Sequence, residues 1–176
     1  MTSTEFWQVI EQGKASVQKT IETPAWLEAH LKDQPQSYIA AFEEQLHERF
    51  CESYDARLWA AAILMMGICG DDKFGDFRGW LVAQGRHVFD AALENPDVLT
   101  ALENIDGDSG EPVLFYLQYT PTRAYRAKIG NDIADLPVNY RLPVFLNEEK
   151  WREWEGDSSK LAEAFPKLSA KYRRRA

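Results

Sequence analysis

Asp71, Asp72, Asp76, Arg78, Arg86 and His87 fall within seventeen residues of this sequence. Carboxylates beside guanidinium groups make ion pairs, polar clefts for anionic or polar ligands, and acid–base sites when a pKa is displaced. Asp72, Asp76 and Gly79 stand at helical spacings and can share a face. Arg78 precedes Trp80, which reads as buried, and its guanidinium could fork onto a carboxylate. The functional reading is a polar cleft made by Asp71, Asp72, Asp76, Arg78, Arg86 and His87. The structural reading of the same residues is a helix start capped by Asp71 and Asp72, with Arg78 or Arg86 closing an ion pair.

Other chemistry has weaker support. Asp71, Asp72 and Asp76 offer a hard cation three carboxylates at most, with no histidine at a neighbouring turn, so no metal site is expected. Asn104, Asp106 and Asp108 resemble the opening of a calcium loop, but the glycine comes one place late and Phe115 occupies the place of the closing glutamate. His30, His47 and His87 are isolated on separate helices, and no nucleophile motif accompanies them. The glycines match neither a P-loop nor a dinucleotide fingerprint, so no cofactor is expected. A second candidate surface is the acidic aromatic patch of Glu148, Glu149, Trp151, Glu153 and Trp154, which would suit a basic protein partner. Alternatively, the two indoles clamp the C-terminal helices onto the core.

The elements that must position these groups are helical. Thr2 to Glu5 reads as a hydroxyl-capped helix start with an acid in the first turn. Thr23 is expected to cap a second helix, with Pro24 at its first position. Ile39, Phe42, Leu46, Phe50 and Tyr54 mark a third helix over 35–54, with Glu43, Glu44, Glu48 and Arg49 on the solvent side. Asp55 caps a fourth over 56–68, buried all round, for which Gly70 supplies a left-handed stop. Asp71 and Asp72 open a fifth, carrying Phe74, Phe77, Trp80 and Leu81. Gly75 and Gly79 inside it call for close backbone packing. Gly85 bends or ends it, and a further helix runs to Asn95, followed by a short one from Pro96.

Beyond an acidic loop at 106–110, a helix is expected from Glu111, interrupted at Pro121 and carried to Gly130. Residues 131–146 read as an irregular strap in which Val144, Phe145 and Leu146 are the one run able to pair as a strand. Trp151 and Trp154 fall on a short helix capped by Asn147. Asp157 and Ser158 cap a last helical pair with Leu161, Phe165, Leu168 and Tyr172. The expected fold is all-α: a compact single domain over 1–176 of roughly eight to ten helices, with a core over about 4–105 and a C-terminal helical part, 111–176, packed on it.

Composition narrows the partners. The 176-residue chain carries 28 acidic and 20 basic side chains, a net charge of -8, so polyanions are repelled at long range and nucleic acid is a poor partner. The basic run Lys171 to Arg175 is short and suits a helix C-terminus. The apolar run 58–69 is too short to span a bilayer. Cys51 and Cys69 lack metal-ligand spacing and read as packed thiols in a reducing compartment, and the polar N-terminus lacks a secretory pattern, so a cytoplasmic setting is expected.

Several of these stretches together resemble a bacterial family, domain of unknown function 4240. They are Phe6-Trp7, Leu58 to Ala61, Gly67, Cys69, the run Asp-Asp-x-Phe-x-x-Phe-Arg-Gly-Trp-Leu over 71–81, Gly85-Arg86, Val88-Phe89, Asn95-Pro96-Asp97, and Phe165 to Leu168 with Tyr172. Gly70 departs from the pattern, in which serine is usual before the two aspartates. The resemblance implies a helical fold and a bacterial cytoplasmic setting, and it carries over no catalytic residue. Two functional expectations follow. One is a non-enzymatic protein-binding or regulatory module, in one form an immunity-type protein that neutralises a basic toxin. The other is a small-ligand binder or enzyme using the Asp71–Arg86 cluster.

Overall fold

A computed structural model describes residues 1–67, 69–102, 117–138, 154 and 157–172. Among them the fold is all-α, with no strand.

Helix α1 (Ser3–Ser16) begins on a reciprocal cap: the Thr2 hydroxyl accepts from the Glu5 amide, and the Glu5 carboxylate accepts from the Thr2 amide. It buries Phe6, Trp7, Val9 and Ile10, and at Gly13 the Trp26 ring lies where a side chain would start. Helix α2 (Thr23–Lys32) follows a 3-10 turn, Thr20–Glu22. Thr23 does not cap it. The turn already delivers the chain in helical geometry, so Thr23 is the first helical residue and its hydroxyl is buried without a hydrogen bond.

Helix α3 (Gln36–Glu52) buries Ile39, Phe42, Leu46 and Phe50. Glu43 joins this inner stripe rather than the solvent side, because it stands four residues after Ile39 and three before Leu46. Asp55 caps α4 (Ala56–Met66) by accepting from the amides of Arg57 and Leu58. That helix ends at Gly67, with φ 79°, one turn earlier than expected. Gly70 instead has extended backbone, φ -83°, and precedes α5 (Asp71–Ala83).

Gly85, with φ 90°, starts α6 (Arg86–Glu94). A side chain there would meet the Glu11 carboxylate, which accepts from the Arg86 amide. Lys14 donates to the Gln84 carbonyl at 2.7 Å, so α1 serves both ends of the α5–α6 joint. Asn95 caps the 3-10 turn Pro96–Ala101. The turn Leu117–Tyr119 leads into α7 (Thr120–Ile129), which holds Pro121 in its first turn and ends at left-handed Gly130. It packs along α2 and α3, with an ion pair from Arg123 to Glu28 at 2.9 Å.

Residues 131–138 are irregular, as expected of the strap. The calcium-like loop, the start of the helix expected at Glu111, the remainder of the strap with Val144 to Leu146, and the Asn147 cap lie outside the described residues. Asp157 caps α8 (Ser158–Ala164), and α9 (Pro166–Tyr172) follows, packing on α4 and on the Pro96–Ala101 turn. Asp97 accepts from the amides of Lys167 and Leu168 at 3.0 and 2.8 Å, so a side chain some seventy positions upstream satisfies the open N-terminus of α9.

Candidate functional site

Helix α5 divides the Asp71–Arg86 cluster. At about 100° of turn per residue, Asp71, Gly75 and Arg78 fall on one side while Asp72, Asp76 and Gly79 fall on another. Arg86 and His87 lie beyond Gly85 on α6, and both are exposed. Arg86 pairs locally with Asp90 at 3.3 Å, its side chain 55% exposed. The expected convergence is therefore partial: Asp71 and Arg78 line one cavity, which Asp72, Asp76, Arg86 and His87 do not line.

That cavity, of about 390 Å³, lies between the C-terminal half of α3, the N-terminal half of α5 and the Leu117–Tyr119 turn. Its walls are His47, Phe50, Cys51, Tyr54, Asp71, Arg78 and Gln118. A second cavity of about 240 Å³ shares His47, Phe50 and Gln118 with it and continues past Glu43, Leu46, Tyr119 and Thr122. The two adjoin along α3 and are referred to together as the groove. Gln118 lies beside Gly75, where an added side chain would meet its amide at 3.8 Å, an ordinary contact. The neighbour at Gly75 is thus a side chain rather than a close backbone, and space there does not require the glycine.

Arg78 lines the larger of these two cavities. Its guanidinium does not fork onto a carboxylate, since no described residue forms an ion pair with it. Nη1 donates to the Phe50 carbonyl at 2.9 Å, one of the last carbonyls of α3 and at the negative end of that helix. The group lies 5.2 Å from the Phe50 ring centre, 4.9 Å from that of Tyr54 and 5.0 Å from that of Phe74. Nε is buried with no hydrogen-bond partner. Burial pulls the Arg78 pKa below the ordinary arginine value, while Tyr54, Cys51 and Asp71 favour its charge. The aromatic ladder behind it is continuous: Trp59 stacks on Phe74 at 4.6 Å, and Phe74 on Phe77 at 6.1 Å.

His47 and Cys51, one turn apart on α3, place Nε2 and Sγ 3.5 Å from each other. Burial is the main influence on Cys51 and pushes its thiol pKa up, more than Arg78 pulls it down. It is held as a thiol, unlike an activated nucleophile. Cys69 is likewise pushed up by burial, to about 12.

Asp71 and Asp72 occupy the first turn of α5 without capping it; the residue at the cap position is Gly70. They favour the helix through its dipole. Asp76 is only 7% exposed, and burial, with the Asp72 charge behind it, raises its pKa to about 6. The five-residue aromatic patch is represented by Trp154 alone, half-buried and edge-on to Phe165 at 5.7 Å; Glu148, Glu149, Trp151 and Glu153 lie outside the described residues. Among the described residues no group of His, Cys, Asp or Glu has metal-site geometry, and no helix is long and apolar enough to cross a membrane.

The family model for proteins of unknown function designated DUF4240 matches residues 1–127. The chain belongs to the DUF4240 family. Neither a curated protein nor a solved structure matches it. The DUF4240 match takes in both cavities, whose lining residues run from Glu43 to Thr122. Asp71 and Arg78, from the run over 71–81, face the larger cavity. His47, Phe50, Cys51, Tyr54 and Gln118 complete it although sequence reasoning did not single them out as one site. The four-residue step from His47 to Cys51 was the one available signal. Phe50 and Tyr54 read as ordinary members of an apolar stripe, and nothing local marks Gln118.

Proposed function

We propose that this protein binds a small anionic molecule in the groove between α3 and α5, with Arg78 as the anion's partner. The observation that carries this reading is the state of Arg78 itself. A largely desolvated cation normally meets a carboxylate, because burial without one is costly. Here aromatic faces and a helix C-terminus hold the guanidinium, and Asp71, the carboxylate in the same cavity, forms no ion pair with it. A bound carboxylate or phosphate would supply it through a charge-assisted hydrogen bond. The cavity volume, with the Phe50 and Tyr54 rings beside the polar groups of His47, Asp71, Arg78 and Gln118, suits a small polar molecule.

The raised Cys51 pKa favours binding over nucleophilic catalysis. Observations bearing on a basic protein partner are fewer: Trp154, the one described member of its patch, is packed against Phe165.

The test is calorimetric titration of the protein with benzoate and with inorganic phosphate, repeated on Arg78→Lys. At least one anion is expected to bind saturably, with affinity lowered about tenfold or more in Arg78→Lys, because an ammonium group cannot reproduce the guanidinium fork. Absence of saturable binding, or equal binding by the variant, overturns the reading.

A further inference from the structure

We propose that the ligand of the Arg78 cavity is a zwitterion, an α-amino acid with an apolar side chain. This rests on the anion-binding reading above and adds a second charge to the ligand.

The added observation is Asp71. It lines the same cavity as Arg78, and neither residue forms an ion pair with the other or with any described residue. Their Cα atoms stand seven residues apart on α5, about 10.5 Å along the axis. Helical side chains lean toward the N-terminus, so Arg78 reaches back toward Asp71. Asp71 is near enough to help sustain the Arg78 charge. A cavity that presents one cation and one anion discriminates against plain anions, since Asp71 repels a phosphate that Arg78 attracts. Both charges are answered by a molecule carrying a carboxylate and an ammonium group on neighbouring atoms.

The rest of the groove accounts for the side chain. Phe50 and Tyr54 present ring surface next to the charged pair. The adjoining cavity of about 240 Å³ offers an apolar side chain the surfaces of Leu46, Phe50 and the Tyr119 ring, with Glu43, His47, Gln118 and Thr122 completing its wall. The Gln118 amide, shared by both cavities, supplies donors and an acceptor suited to the polar end of such a ligand.

The experiment is a calorimetric titration with L-phenylalanine, L-leucine and L-methionine. For each, the N-acetyl derivative keeps the carboxylate without the ammonium charge, and the amide keeps the ammonium without the carboxylate. At least one amino acid is expected to bind tenfold or more tightly than both of its derivatives. Asp71→Asn, at an exposed position, is expected to remove the advantage over the N-acetyl derivative by weakening the amino acid and strengthening the derivative, whose carboxylate Asp71 no longer repels. If the N-acetyl derivatives bind as tightly as the amino acids, Arg78→Lys weakens both and Asp71→Asn changes neither, the zwitterion is overturned while the anion site stands. If no carboxylate-bearing ligand binds, or the amides bind as well as the amino acids, both readings fall.

Discussion

Arg78 and Asp76 sit two positions apart on α5 and meet opposite fates. Arg78 keeps its charge because rings and a helix C-terminus receive it. Asp76 receives no hydrogen bond or ion pair from a described residue, and the Asp72 charge opposes its own. Its pKa stands near 6 in the fold, against an ordinary 3.8. The native state therefore holds its proton more tightly than the unfolded chain does, so this group's contribution to stability declines as pH rises from about 4 to about 6 and stays unfavourable above. Asp76→Asn is expected to raise stability at pH 7.5 by about 1–2 kcal/mol, allowing for solvent screening, and to flatten that part of the pH profile. Urea unfolding of both proteins at pH 4 and pH 7.5 measures it; an equal pH dependence in the two would refute the assignment.

At the scale of elements, the joints around α5 are set by glycines of different kinds. Gly85 has φ 90° and lies against the Glu11 carboxylate that accepts from the Arg86 amide. A side chain there strains the backbone and displaces that acceptor. Gly85→Ala is expected to cost about 2 kcal/mol or more. Gly70 is extended at φ -83°, and a side chain there meets nothing within 4 Å. Gly70→Ser gives α5 a hydroxyl cap and lowers the entropy of the unfolded chain. It is expected to gain about 0.5–1 kcal/mol. Thermal unfolding of the two variants should move in opposite directions. A stabilised Gly85→Ala would mean that the α1–α5–α6 joint is built differently.

At the scale of the molecule, Asp97 links the part matched by the family model to the last helix. Its carboxylate holds the Lys167 and Leu168 amides while Leu168 is buried. Lys171 adds hydrogen bonds to the Thr100 and Leu102 carbonyls at 2.9 and 2.8 Å. Asp97→Ala is expected to cost about 1–2 kcal/mol, most of it local to α9. Hydrogen exchange followed by mass spectrometry should show faster exchange over residues 166–172 with α3 and α5 unchanged. Uniform acceleration across the chain would instead make Asp97 part of the global core.

Among the described residues, the sequence by itself determined the helices and most of their ends, because periodic apolar residues, caps and prolines act within one or two turns. The Thr2 and Asp55 caps, the α3 stripe and the Gly130 stop are of this kind. It also singled out Asp71 and Arg78, since charges beside buried aromatics are conspicuous in any fold. Where a neighbouring element intervened, local reading went astray. The turn before α2 took Thr23 from its cap, and burial turned Glu43 inward. The tertiary structure alone decided which charges share a cavity. Helical rotation sent Asp72 and Asp76 away from Arg78, the Gly85 joint sent Arg86 and His87 to another surface, and packing of α3 and the Leu117–Tyr119 turn against α5 brought in His47, Tyr54 and Gln118. Such assembly depends on how helices cross rather than on spacing along any one of them.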